Sequence, residues 1–344
     1  MKRFFILVIL SLAAFVLATA QNDSIQNKKW KFFIPEFDGT VRAKYEYQPQ
    51  MGASRFQVRN ARFSINGKVH KIASYKLEID LSDQGKIRML DAYARLTPIK
   101  GGSFTIGQMR VPFTIDAHRS PHQQYFANRS FIAKQVGDVR DVGFTLAYTF
   151  QNFPLTLQGG LFNGFDDITE DGQKRWTKKA NYSVKAEIFP VKGFNITLSS
   201  QKIAPLNSNI FMHDAGTYVE FCNFHIEGEY LYKHYADGKF KDVHSVDAFI
   251  NYDIPLKKVF QKISILCRYD MMTDHWDGVT LDDEGHAIMS DSKRHRITAG
   301  TTLSLAKPFR ADLRINYEKY MYGDGAIIDE SEQDKITFEV MLRF

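Results

Sequence analysis

From Phe37 to the C-terminus the chain alternates apolar and polar residues with a period of two. The run that closes it is the most telling. In Lys335–Phe344, Ile336, Phe338, Val340, Leu342 and Phe344 fall on one face, and Thr337, Glu339, Met341 and Arg343 on the other. Such alternation marks a β-strand with an apolar surrounding on one side and a polar one on the other. The strand runs to the last residue, where most soluble domains fray. A closed barrel has no such freedom, because its last strand pairs with its first.

Sixteen segments of this kind are read. They are Phe37–Gln48, Arg55–Val69, Tyr75–Leu81, Ile87–Leu96, Ser103–Val111, Arg140–Phe150, Pro154–Phe162, Tyr182–Ile188, segments around Phe194–Leu198, Ala215–Cys222, Ile226–Lys233, Val246–Tyr252, Ile263–Asp270, Arg296–Leu303 and Arg310–Tyr317, and the terminal one. In the fifth, Thr105, Gly107, Met109 and Val111 are read as the apolar face, against Gln108 and Arg110. Long polar connections (Pro112–Val139, Asn163–Lys179, Gln201–Asp214, Thr273–His295, Gly323–Asp334) alternate with short ones (Thr97–Gly102, Gln151–Pro154, Pro190–Gly193, Lys307–Phe309). Pro98, Pro154, Pro190, Pro255 and Pro308 sit at or beside the short turns, where no ladder hydrogen bond is lost. Long loops on one rim and tight turns on the other predict an all-β, transmembrane, up-and-down antiparallel barrel of about 16 strands, as in an outer membrane. Tyrosines and phenylalanines near segment ends, from Tyr45 and Tyr47 through Tyr75, Tyr148, Phe150, Tyr182, Tyr232, Tyr252, Tyr269, Tyr317 and Tyr320, are expected in its aromatic girdles.

The N-terminus fits export. Lys2 and Arg3 precede an apolar run from Phe4 to Val16, and Ala18-Thr19-Ala20 is a small-x-small cleavage pattern. The expected organisation is a signal peptide at 1–20, a periplasmic N-terminal segment at 21–36 and a barrel at 37–344. Beyond the signal, no stretch of 18 apolar residues exists to form a spanning helix. A net charge of +6 with no long basic run excludes a nucleic-acid partner. Cys222 and Cys267, the only two cysteines, are read three strands apart and on opposite faces, beyond disulfide reach.

A barrel of sixteen strands encloses water, so the polar face of each strand is expected to line the lumen. The basic candidates for an anion path are Arg42, Arg62, Lys76, Arg95, Arg110, Arg268, Arg296 and Arg314 on strands, with His118, Arg119, Arg129 and Lys134 in the loop Pro112–Val139. Acidic residues such as Glu46, Glu78, Asp80, Asp91, Glu227 and Glu339 intersperse them. The loop is too long for a turn and carries Tyr125, Phe126 and Phe131 besides its bases. It is either a constriction folded into the pore or an extracellular lid. His118 and His122 lie four apart without an obvious third ligand, so no metal and no cofactor are expected. Ser120 and His122 give no geometric signal for a hydrolase.

The stretch Gly107-Gln-Met-Arg-Val-Pro112, followed by the long loop and by Arg140-Asp-Val-Gly143, resembles the most recognisable region of the phosphate-selective porins of the O and P type. The resemblance implies a homotrimeric outer-membrane channel for small anionic or polar solutes, with basic residues along the path and no enzymatic activity. Alternatives are a non-selective or sugar-type porin, and a non-conducting structural or adhesion barrel. Phe344 matches the C-terminal signature through which outer-membrane barrels are recognised by the assembly machinery.

Overall fold

The computed structural model describes residues 33–83, 86–137, 140–164, 181–205, 208–305 and 310–344. The expected export signal, most of the expected segment 21–36, Asp138, most of the connection expected at Asn163–Lys179 and the short connection expected at Lys307–Phe309 lie outside the described residues.

Sixteen antiparallel strands close into one barrel, each bonded to its sequence neighbours and β1 to β16. They are β1 (Glu36–Gln48), β2 (Ala53–His70), β3 (Ala73–Asp83), β4 (Lys86–Leu96), β5 (Gly102–Arg110), β6 (Arg140–Thr149), β7 (Leu155–Phe162), β8 (Asn181–Ile188), β9 (Phe194–Ile203), β10 (Ile210–Phe221), β11 (Phe224–Tyr235), β12 (Val243–Pro255), β13 (Phe260–Met272), β14 (Arg294–Leu305), β15 (Arg310–Tyr322) and β16 (Lys335–Arg343). The closing register pairs Val41 with Leu342 and Tyr47 with Ile336, as the terminal alternation predicts. Gly39 and Phe344 complete it by exchanging two backbone hydrogen bonds, of 2.8 and 3.0 Å. Closure gives every strand a bonded neighbour on both sides, the way a sheet satisfies its backbone in hydrocarbon. Among the described residues, no helix is long and apolar enough to cross a membrane.

Burial is inverted relative to a water-soluble domain. In β16, Phe338, Val340 and Leu342 are close to half exposed on the outside, while Lys335, Thr337, Glu339 and Met341 are buried inside. The same pattern repeats around the barrel, with Leu198, Ile265 and Ile315 outward and Ser199, Arg268 and Arg314 inward. So much exposed apolar side chain on one continuous surface requires lipid. Inside, the buried charges are paired across strands. Glu339 accepts from both Arg42 and Arg314, at 2.6 and 2.7 Å, and Arg296 binds Asp270 and Glu318.

Several sequence expectations change. The connection expected at Gln201–Asp214 shrinks to residues 204–209, because β10 begins at Ile210. Polar Ser199, Gln201 and Asp214 at these strand ends face inward and disguise the strands as loop. Cys222 lies on no face at all. It forms a two-residue turn with Asn223, both at positive φ, the backbone twist that a tight hairpin demands. Both thiols are unpaired. Tyr320 leaves the girdle for the interior, where its hydroxyl lies between Arg296 and Glu318. In β5 the faces are exchanged. Thr105 and Met109 are buried inside and Ile106 is exposed outside, because Tyr93, Val111 and Phe162 give Met109 an apolar patch of inner wall.

Candidate functional site

The connection from β5 to β6 does not leave the barrel. It folds into the lumen and is secured to most of the wall. It descends past β8 and β9, where Ser183 donates to the Pro112 carbonyl at 2.6 Å, Lys185 to the Thr114 carbonyl at 2.8 Å, and the Thr114 amide to Ser199. The Ile115 amide donates to Glu229 on β11. Short helical turns at Asp116–His118 and Pro121–Gln123 carry it across the barrel. In the second, the Ser120 and Gln123 side chains cap each other's backbone amides, which gives Ser120 a structural role. Arg119 then forms a two-pronged pair with Glu227. Beyond it, the Ala127 amide donates to Asn316, and the Ala127 and Arg129 carbonyls accept from Arg42 and Arg296 at 2.7 Å each. A turn of π-helix at Ile132–Gly137 brings the chain back to β6.

Packing seals one side. Phe113, Phe131, Ile132 and Val136 join Ile210, Met212, Leu231, Tyr235, Val243, Met272 and Trp276 in an apolar core inside the barrel. Phe126 packs on Phe249 and Leu266, with the Arg268 guanidinium 4.4 Å over its ring. The inward apolar residues of β10 to β13 thus serve the loop and not the bilayer.

The electrostatics of the loop match its burial. Burial, Lys185 and Arg110 push the His118 ring far below the usual imidazole range, and it sits neutral with Nε2 2.8 Å from the Val111 carbonyl. Burial and Arg343 bring His122 down to about 4, so it accepts from the Arg343 guanidinium at 2.8 Å. The two histidines therefore serve different partners and share no site, and no metal-binding cluster occurs among the described residues. Burial opposes the Asp116 carboxylate, but Arg129 and Arg119 hold it below the ordinary range.

What remains open lies between the loop and β1 to β6. This space, about 550 Å³, is bordered by Arg42, Arg59, Arg62, Arg88, Arg129, Lys134 and Arg140, with Asp80 the carboxylate among the described residues that line it. On the turn side of the loop a second chamber of about 560 Å³ is bordered by Arg119, His118, Lys185, Arg310 and Arg314, by Tyr125 and Tyr218, and by Asn195, Thr197 and Asn251. Gln124 borders both spaces.

The sequence candidates divide between these settings. Arg42, Arg62, Arg129 and Lys134 border the opening. Lys76, paired with Glu78 and Asp91, and Arg95, bonded to Thr105, stand on the adjoining inner wall. His118, Arg119 and Arg314 border the second chamber. Arg268 and Arg296 are 2% exposed beneath the loop, so they hold it from below and border no open lumen. Arg110 leaves the end of β5 and donates to the Ala117 and Arg119 carbonyls.

Arg59, Arg88 and Arg140 were not among the candidates. Arg59 is the extra residue of a β-bulge, where Arg42 pairs with Asn60 and Ala43 with Val58. A bulge turns an otherwise outward position toward a site. A signal existed, since apolar positions switch from even (Phe56, Val58) to odd (Ala61, Phe63) across it. Among the described residues Arg59 and Arg88 form no ion pair, whereas Arg62 and Arg140 bind Glu78, Asp80 and Asp91.

Solved structures share this architecture. The anion-selective porin from Comamonas acidovorans superposes with a TM-score of 0.63 at 12% identity, covering 90% of this chain and 98% of that one. OprB of Pseudomonas putida gives 0.65 at 11% identity, with 93% and 96% covered. The trimer form of Vibrio cholerae OmpT gives 0.59 at 12%, with 90% and 98% covered. At these identities the likeness is one of fold. No curated protein matches the sequence. The family model for phosphate-selective porin O and P matches residues 37–209, half of the chain; with the closed barrel and its lipid-facing exterior, this makes the chain a member of that family, a channel-forming porin of the cell outer membrane.

Proposed function

We propose that the protein passes small hydrophilic solutes by passive diffusion, with a preference for anions, phosphate among them. The observation that carries the reading is the pair Arg59 and Arg88, two guanidinium groups that form no ion pair among the described residues and stand beside an opening whose other bases are engaged. Uncompensated charge at a narrow, water-filled passage sets up the field that an entering ion meets. Binding there stays weak, because conduction requires release. The opening calls for no chemistry on the solute. A homotrimer, as in the trimer form of OmpT, and delivery by the assembly machinery through the strand ending in Phe344 complete the reading, with residues 1–20 as the export signal.

The test is the reversal potential of single channels in a potassium chloride gradient, repeated with phosphate as the anion. Anion selectivity is expected, and zero or cation selectivity overturns the preference. The second chamber favours one other reading, a channel for neutral polar solutes such as sugars, because Tyr125, Tyr218, Asn195, Thr197 and Asn251 border it. Block of chloride current by a neutral sugar, with none by phosphate, would select that alternative.

A further inference from the structure

The outer surface of β9 to β14 carries an ordered set of histidines near the rim of the long loops. His213, His234, His244 and His295 belong to the outward face, since each is flanked by buried inward residues (Met212 and Asp214, Lys233 and Tyr235, Val243 and Ser245, Arg294 and Arg296). Three repeat one arrangement across neighbouring strands. The Ser200 hydroxyl lies 3.1 Å from Nδ1 of His213, the Tyr230 hydroxyl 2.7 Å from that of His244, and the Tyr269 hydroxyl 2.8 Å from that of His295. One nitrogen of each of these rings is thus held by a hydroxyl, which leaves Nε2 as the ring's remaining polar atom at the surface. His234 and Tyr232 both bind Asp242, and Tyr232 stacks between His213 and His234.

Lysines stand beside this row. Lys202 projects outward at the end of β9, next to Phe211 in the register. Lys239, Lys241 and Lys293 are exposed in the connections directly beyond it. Among the described residues none of these four is in an ion pair, while the nearby carboxylates are engaged: Asp237 by Ser208, Asp242 by Tyr232 and His234, Asp274 by the Lys293 amide. Toward the same rim, the exposed outward residues of β2 to β5 include Phe56, Val58, Leu81, Ile87, Met89 and Ile106, and no histidine is among them. The donor row is therefore a feature of one side of the barrel.

From this juxtaposition we propose that the outer face of β9 to β14 at the loop rim docks the headgroup of a phosphorylated membrane lipid, with the histidine Nε2 atoms and the unpaired lysines contacting its phosphates. The height is that of the polar boundary of the bilayer, where amphipathic rings settle. A row of imidazoles, each held through Nδ1 and flanked by exposed lysines, is complementary to a phosphate monoester, whose several oxygens accept hydrogen bonds at once. A second copy of the chain at this face would need an apolar surface here, and this one is polar.

The test uses the full chain in detergent micelles, with lipid retention followed by native mass spectrometry. The probes are a bisphosphorylated glucosamine lipid and its dephosphorylated form. The wild type is expected to retain the phosphorylated lipid, and the triple variant His213→Leu, His244→Leu, His295→Leu to retain it about tenfold less, several surface donors being lost together. A second variant, Lys202→Gln, Lys241→Gln, Lys293→Gln, removes only the flanking charges and is expected to fall between. Single-channel conductance of both variants should match the wild type, because none of these residues faces the lumen. Equal retention of the two lipids by the wild type overturns the proposal, as does full retention by the histidine variant. Displacement of the lipid by inorganic phosphate at equal headgroup concentration would mean a free-anion site, and a change in oligomer mass in the histidine variant would mean a contact between copies; either result also overturns it.

Discussion

Neutralising Arg59 and Arg88 together, as Arg59→Gln with Arg88→Gln, tests the field of the opening most directly. Both border the passage without an ion pair among the described residues, so the substitutions orphan no buried partner. An ion about 7 Å from a guanidinium in water feels about 0.6 kcal/mol. Screening at 0.1 M salt, with a Debye length of about 10 Å, halves this to about 0.3 kcal/mol. Partial exclusion of water by the wall and the loop raises it again, to about 0.6 kcal/mol at half the bulk dielectric constant. Two such charges attract an anion and repel a cation by equal amounts, so their loss shifts the balance by about 1.2–2.4 kcal/mol in all. The anion-to-cation permeability ratio should fall by roughly 8- to 60-fold. Reversal potentials at 0.1 M salt measure this ratio, and at 1 M salt, where the Debye length is about 3 Å, variant and wild type should converge. An unchanged ratio at low salt would refute the reasoning, because it would place both arginines outside the path. A deficit that persists at high salt would refute it too, since a screened field cannot produce one.

Glu227→Gln replaces the buried carboxylate that Arg119 grips with a neutral amide; Arg119 keeps Asp116 at 3.5 Å, so the loss stays at or below about 3 kcal/mol, the lower end for a broken buried pair, and the loop should loosen, seen as flickering conductance and a lower thermal midpoint. Gly39→Val places a Cβ 2.5 Å from the Phe344 ring, and overpacking of this kind costs about 1–3 kcal/mol. That variant and deletion of Phe344 should both reduce the fraction inserted in the outer membrane while leaving the conductance of inserted channels unchanged. Acid should weaken the loop. The folded-state values of His118 and His122 lie below those of the unfolded chain, that of His122 at about 4, so the stability they contribute is fully present above about pH 6.5 and is lost as pH falls toward 4. Conductance noise should rise over that window, and His122→Gln should make the rise shallower across it.

The barrel itself was legible along the chain. Alternation has only one register with the strand pleat, so Ile336 to Phe344 announced both the closing strand and its lipid-facing side, and the sorting of long and short connections announced two different rims. Alternation failed where the inside is not water. Met212, Leu231, Phe249 and Leu266 face inward because the loop brings apolar residues to meet them, and a period of two cannot tell that neighbour from a lipid. It failed again at Arg59, where one extra residue shifts the phase of β2.

The sequence by itself determined a sixteen-stranded membrane barrel with a long basic loop after β5, because those features depend on local pattern and on chain lengths between strands. Only the tertiary structure decided what each base does. Arg268 and Arg296 are drawn under the loop by contacts to residues far away in sequence, Arg62 and Arg140 are compensated by carboxylates on neighbouring strands, and Arg59 and Arg88 are left to face the opening. Charge type is written in the residue, but whether a charge is paired depends on what the closed barrel places opposite it.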